Sequence, residues 1–313
     1  MVIDKTAVIG AGIMGRGIAL VYALNGCRVS LYDINQQALH MARKHIDNDL
    51  ELLVAEGLIS AVASQSAQKN IIITGSLDMA VGDAEFITEA VPEQLPLKHQ
   101  VFARLESLAP STAIIASNTS TLPLSELTRG LIRPERLLIT HFFNPAHLVP
   151  LVEVVKSEKA PAEIITTTLE LLRQIGKVPV VLKKDIPGFI ANRLQAAILR
   201  EALHLVASGV ADMHDVDTVV TVGPGFRWSV IGPLETADFG GLDTWQSVMG
   251  NLAPELDCTR TAPAVLTEMN RQGHLGVKTG QGFYSYLSED VVAGKIHSRD
   301  QAFIRLLMLR HKM

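Results

Sequence analysis

The chain reads as an α/β protein, with a doubly wound, mostly parallel sheet followed by an all-helical carboxy-terminal domain. Three observations predict this. Between residue 3 and about residue 182, short β-branched runs alternate with helical patterns, the signature of βαβ units. A glycine triplet, "VIGAGIMGRG", follows the first of those runs directly. After "KKDIPGF" the texture changes, and helical patterns alternate with glycine-rich turns but no convincing strand appears. The boundary is set near Asp185, giving a first domain of residues 1–185 and a helical one of 186–313.

Taken in order, "IDKTAVIG" and "RVSLYDI" are the first two strands, separated by a helix from Ile13 to about Asn25. The later strands are "IIIT" (71–74), "EFITEA" (85–90), "AIIASN" (113–118), "LLITHFF" (137–143), "LVEVV" (151–155) and "VPVVL" (178–182). Each is short, rich in Val, Ile or Thr, and bounded by polar or glycine-containing segments, as strands are. From Ile186 to about Ser208 the pattern predicts one long apolar helix that stops at Gly209, a suitable residue just past a helix end. Its apolar face exceeds what one small helical domain can cover, so a homodimer is expected.

Composition narrows the function classes. The 313 residues are 48% hydrophobic and 19% charged, which suits large buried cores and rules out a disordered chain. A net charge of −4 without a basic cluster argues against nucleic acid or an anionic membrane as partner. Cys27 and Cys258 are too few and too far apart for a disulfide framework or a metal site. The apolar start "MVIDKTAVIGAGIMGRGIAL" lacks a basic leader, and Arg16 and four glycines interrupt it. No other stretch is long enough to cross a bilayer, so a cytoplasmic protein is expected.

The glycine triplet sits where a dinucleotide needs it. Gly10, Gly12 and Gly15 lie between a strand and a helix, and Asp33 ends the next strand. In a Rossmann turn the first glycine permits the tight bend and the second lets pyrophosphate approach the backbone. The third lets helix and strand pack closely, and the helix N-terminus stabilises the phosphates. Asp33 suits the adenosine ribose hydroxyls and repels a 2′-phosphate, and "DINQQ" brings no arginine after it. The expected cofactor is NAD.

"THFFNPAHLVPLVEVV" raises a chemical question. His141 ends one apolar run and Glu153 lies inside the next, so two ionisable groups stand where burial is expected. Asn144-Pro145 breaks the pattern between them, so the chain turns and the second run can lie beside the first. A carboxylate beside an imidazole fixes its tautomer and stabilises its cation, which equips a general base for alcohol oxidation. A purely structural His–Glu pair has the same spacing.

Several motifs together resemble the L-3-hydroxyacyl-CoA dehydrogenases: "IGAGIMG", "EAVPEQLPLK", "SNTSTLPLSEL", "HFFNPAHLVPLVEVV", "DIPGFIANRL" and "KTGQGFYSY", in that order across about residues 5–286. The resemblance implies an NAD-binding domain, a helical dimerising domain and a site in the cleft between them. It implies that His141 is the catalytic base and Glu153 its orienting partner. It makes Ser120 and Asn192 the groups that bind the substrate's reacting oxygens. It puts Glu93, Lys98, Asn144 and Lys278 against the nicotinamide half or ribose of NAD. Each has a plainer reading: Ser120 as a turn residue, Asn192 as an exposed position near a helix start, Glu93, Lys98 and Lys278 as solvated charges.

Two departures bear on the substrate. Family members that use CoA carry basic and small polar residues after the second strand, where the CoA phosphates lie. Here residues 45–69 hold Asp47, Asp49, Glu51 and Glu56 and no lysine or arginine between His45 and Lys69. Acids facing phosphates make an unfavourable field, although a solvated helix face with CoA entering from another angle is compatible with them. The second departure is "VGPGFRWSVIGPLET", whose longer loop resembles relatives that oxidise free hydroxy acids, such as gulonate and carnitine dehydrogenases. Arg227 would then receive a substrate carboxylate, unless it pairs with an acid in its own domain. The expected substrate is a small carboxylate-bearing hydroxy acid, with a short 3-hydroxyacyl thioester as the alternative. A catalytically retired NAD-binding protein is the alternative of another class.

Overall fold

The computed structural model describes residues 3–310. All eight predicted strands form: β1 (Lys5–Ile9), β2 (Arg28–Tyr32), β3 (Ile71–Thr74), β4 (Phe86–Glu89), β5 (Ile114–Ser117), β6 (Leu137–Phe142), β7 (Leu151–Val155) and β8 (Val178–Val181). They make one sheet in the order β3-β2-β1-β4-β5-β6-β7-β8. Every neighbouring pair is parallel except β6 and β7. The segment between those two is too short for a parallel crossover, which takes about a dozen residues. It returns antiparallel through the cis Asn144–Pro145 bond.

Helices α1 (Ile13–Leu24), α2 (Gln36–Ala55), α3 (Ala61–Asn70), α4 (Leu77–Val81), α5 (Leu95–Leu108), α6 (Leu124–Leu127) and α7 (Ala162–Gln174) accompany the sheet. Two clusters of buried side chains divide the apolar residues of adjacent strands. Val8 and Ile9, or Leu138 and Ile139, belong to opposite clusters, as alternation in a strand covered on both faces requires. The order reverses at β1 and β4, so the crevice at their carboxyl ends is where an open α/β sheet binds its ligand.

Two compact units are present: residues 1–190 with 296–313, and residues 191–295. The second contains α8 (Ala191–Ala207), α9 (Met213–Val222), α10 (Pro224–Trp228), α11 (Pro233–Gly240), α12 (Leu242–Leu252) and α13 (Ala264–Arg271). The final helix, α14 (Glu289–Arg310), starts in the second unit, and from Ile296 onward belongs to the first. Among the described residues of the helical unit, strand-like pairing is limited to bridges joining Gly276, Gln281 and Ser285.

The helix predicted from Ile186 begins only at Ala191. Proline disfavours helical geometry in the residue before it, here Ile186, and Gly188 and Phe189 then take left-handed φ angles of 75° and 51°. The predicted stop holds, with Gly209 at φ 70° just beyond the helix.

Candidate active site

Each glycine of the triplet has its own reason. Gly10 has φ 108°, and a Cβ there would stand 2.6 Å from the Ala90 carbonyl oxygen. A Cβ at Gly15 would meet the Gly10 carbonyl oxygen at 1.7 Å. A Cβ at Gly12 would meet nothing within 4 Å, so that face of the turn is open to a ligand. Gly12 caps α1 with no side chain bonded to the helix's first N–H groups, which leaves them for an anion. The Asp33 carboxylate accepts the Ala11 N–H at 2.8 Å and the Asn35 N–H at 2.9 Å, which fixes it beside the turn. These features fit a dinucleotide with free ribose hydroxyls.

At the other side of the crevice, Met14, Ala90, Val91, Glu93, Asn118, Ser120 and Thr121 line a cleft of about 310 Å³. One Glu93 oxygen accepts from the Thr119 hydroxyl and from the N–H groups of Ser120 and Thr121, at 2.5, 3.0 and 3.2 Å. Burial opposes ionisation of Glu93, but the Thr119 hydroxyl, Lys98 and the Ser120 N–H outweigh it and hold the carboxyl below its usual range. Lys98 is not a solvated charge. Its ammonium lies 2.7 Å from Glu89 and 3.3 Å from Glu93, with the Lys98 and Glu89 side chains 1% and 0% exposed. The Ser117 hydroxyl donates to the second oxygen of Glu89 at 2.6 Å. A buried ion pair therefore stands behind Glu93, and Glu93 in turn pins the serine loop.

The antiparallel register of β6 and β7 pairs His141 with Glu153 directly. Directly opposed residues share a face. His141 Nδ1 is 3.0 Å from Glu153 Oε2, and Nε2 is 3.1 Å from Ser120 Oγ. Both partners of the dyad are buried, and the imidazole packs against Phe143 and Phe189 at ring distances of 4.5 and 5.4 Å. The other Glu153 oxygen accepts the Ile190 N–H at 2.9 Å. A carboxylate only accepts, so Nδ1 carries the proton and Nε2 presents its lone pair to the serine hydroxyl.

The structure thus brings Ser120, His141, Glu153 and Glu93 together within the first unit, with Lys98 behind them. Asn144 is exposed in the turn after β6. Asn192 lies in the first turn of α8, Arg227 in α10 and Lys278 in the loop before α14, all in the helical unit. Arg227 is exposed, and among the described residues it makes no ion pair with an acid of its own unit. Of the four acids after β2, Asp47 accepts from Gln68. Glu56 accepts from Gln301 at 2.6 Å and Arg305 at 3.2 Å, both on α14. Asp49 is pushed up to about 6 by burial, with Arg16 opposing and Asp300 adding to the shift.

Sequence reasoning missed Glu89, Phe189 and Lys177. Glu89 sits in a motif noticed for other residues. Lys177 donates to the Ala146 and Val149 carbonyls at 2.6 and 2.8 Å, clamping the turn after the cis bond, and nothing in its local pattern signals this. Burial brings its ammonium down to about 8. Cys27 is buried and Cys258 exposed, both free, and the described residues hold no cluster of three or more metal-ligating side chains.

A doubly wound sheet with this glycine turn, and an imidazole held by a carboxylate at its crevice, has the features of a nicotinamide-dependent dehydrogenase. Residues 5–186 match the model of the 3-hydroxyacyl-CoA dehydrogenase NAD-binding domain, and residues 188–286 that of the 3-hydroxyacyl-CoA dehydrogenase C-terminal domain. The chain belongs to the 3-hydroxyacyl-CoA dehydrogenase family and is an NAD-dependent enzyme acting on CH–OH groups. It is 36% identical to the 5-formyl-3-hydroxy-2-methylpyridine 4-carboxylate 5-dehydrogenase of Mesorhizobium japonicum, over 93% of both chains. It is 37% identical to the L-carnitine dehydrogenase of Streptomyces coelicolor, over 81% of this chain and 79% of that one. A crystal structure of a 5-formyl-3-hydroxy-2-methylpyridine 4-carboxylic acid 5-dehydrogenase, described as an NAD+-dependent dismutase, superimposes with a TM-score of 0.89. It is 35% identical, and the match covers 99% of this chain and 98% of the other.

Proposed function

We propose that the protein oxidises the secondary alcohol of a small, carboxylate-bearing 3-hydroxy acid, with His141 as general base. The observation that carries this reading is the imidazole held between Glu153 and Ser120 beside the cleft. Bound NAD would supply the hydride acceptor for the carbinol carbon. His141 Nε2 takes the hydroxyl proton as the C–H bond breaks, and the imidazolium so formed faces the Glu153 carboxylate, where its charge is stabilised. Ser120 donates to the developing carbonyl oxygen, and Asn192 is its second donor. Glu93, with Lys98 behind it, would hold the nicotinamide half of NAD, and Asn144 and Lys278 would be further cofactor contacts.

The substrate class rests on charge. Arg227 is exposed, and among the described residues it makes no ion pair with an acid of its unit, whereas residues 45–69 offer acids, and Glu56 is committed to α14. Two relatives carry names of carboxylate-bearing compounds, the pyridine carboxylate and carnitine. The second reading, a short 3-hydroxyacyl-CoA, is favoured by the family itself. A retired NAD-binding protein has no need of the intact dyad. Turnover of free 3-hydroxy acids against 3-hydroxybutyryl-CoA decides between the substrate readings. Arg227→Met should raise KM for the free acid at least tenfold with NAD affinity unchanged, since a lost charged contact costs on the order of 2–5 kcal/mol. Efficient CoA-ester oxidation that ignores Arg227 would overturn the free-acid reading.

We also infer a cytoplasmic homodimer formed through residues 186–313. Across Ala191–Lys295 only Leu203 and Thr236 are buried, and Leu194, Ile198 and Leu199 of α8 are exposed. An apolar groove of about 510 Å³ runs between α8 and α9. So much uncovered apolar surface calls for a second chain. Sedimentation at micromolar concentration should give the mass of two chains. Among the described residues no helix is long and apolar enough to cross a membrane.

A further inference from the structure

The segment Asp185–Ile190, which leads the chain into the helical unit, does more than connect. We propose that it is a positioning device for His141, with the Phe189 ring and the Ile190 N–H as its working parts. The inference rests on the reading of His141 as base.

Two anchors hold the segment. At its start, Asp185 Oδ2 accepts the Leu124 N–H at 2.8 Å, at the first residue of α6 and next to the serine loop. At its end, the Ile190 N–H donates to Glu153 Oε1 at 2.9 Å while Oε2 holds His141. The Glu153 carboxylate is thereby gripped from both sides, and its rotation about the last side-chain bond is fixed.

Between the anchors, Phe189 takes φ 51° and is the sole non-glycine residue with positive φ among the described residues. Glycine adopts that conformation without steric cost, and a bulky side chain there is an outlier. Phe189 is nevertheless 1% exposed, with its ring 5.4 Å from the imidazole and tilted by 60°. Together with Phe143 it walls the imidazole. A left-handed position thus carries a large side chain where that side chain meets the base. Non-glycine outliers of this kind cluster at functional sites. The compact helical unit begins at the next residue but one.

Two variants test the device. Phe189→Gly suits the left-handed backbone and removes only the ring. Replacing Ile190 by its α-hydroxy acid exchanges the N–H for an ester oxygen and leaves the side chain. The tautomer of His141 is read by nitrogen-15 NMR, assigned by difference from His141→Asn. In the wild type a single Nδ1-protonated form is expected. Each variant should populate both tautomers and lose at least tenfold in kcat, with the NAD Kd changed less than twofold. A kcat near wild type, or a kcat loss with the tautomer still fixed, would overturn the proposal, and if Phe189→Gly fails to fold the ester variant decides alone. The NMR readout needs no turnover. If His141→Asn proves fully active, the base reading falls while the tautomer measurement still judges the joint.

Discussion

Glu153→Gln is a nearly isosteric change with a large expected cost, and the reason lies in the Ile190 N–H. That donor requires an acceptor, so the carbonyl oxygen of the new amide faces Ile190 and its NH₂ faces His141. Nδ1 must then accept, which moves the imidazole proton to Nε2, the atom that should receive the substrate proton. The catalytic tautomer returns only by flipping the amide and leaving the Ile190 N–H facing another donor. A lost charged hydrogen bond is worth about 1.5–3 kcal/mol, and a buried donor left unsatisfied about 1–3 kcal/mol more. At 1.36 kcal/mol per decade of rate, the sum corresponds to about a hundredfold to ten-thousandfold in kcat. The assay is NADH formation at saturating NAD and substrate, across pH, with NAD affinity measured separately. A kcat within fivefold of wild type would refute the reasoning, because neither the charge nor the tautomer would then matter.

Asp33 is fixed beside the glycine turn by two backbone N–H groups, and its charge should repel a 2′-phosphate in a poorly screened crevice. NAD should be preferred over NADP by well over tenfold in kcat/KM, and comparable efficiencies would contradict this. Asp49 is raised to about 6 by burial. The folded state therefore binds more protons than the unfolded state between about pH 4 and 6, and stability is lost as pH rises through that window. Asp49→Asn should flatten that dependence and stabilise the fold at pH 7 by about 1–2 kcal/mol, after allowance for its partial exposure. Thermal melts at pH 4.5 and 7 check it, and an unchanged melting temperature at pH 7 would count against it.

Much of this architecture was legible in the sequence because its signals are local. The eight strands are short β-branched runs, and the glycine turn announces itself by context. The His141–Glu153 pairing was legible for a geometric reason: a connection broken at Asn144-Pro145 and too short for a crossover forces an antiparallel return. The start of α8 was misjudged, since periodicity runs on through Ile186 while the left-handed pair Gly188–Phe189 holds the chain out of the helix. The plainer alternative for Lys98, a solvated helix charge, fails because its partner Glu89 ends a strand whose burial only the packed sheet reveals. The grip of Glu56 on Gln301 and Arg305 joins residues from opposite ends of the chain, and no local pattern encodes such a contact.

The claim on which the rest depends is that His141 removes the hydroxyl proton. It is tested most directly by comparing His141→Asn with the wild type in kcat and in NAD Kd, on the substrate that the turnover panel selects. The variant should show a kcat lower by about a hundredfold to ten-thousandfold and an NAD Kd changed less than twofold. A variant that turns over at the wild-type rate would contradict it and leave the buried His141–Glu153 pair with a purely structural role.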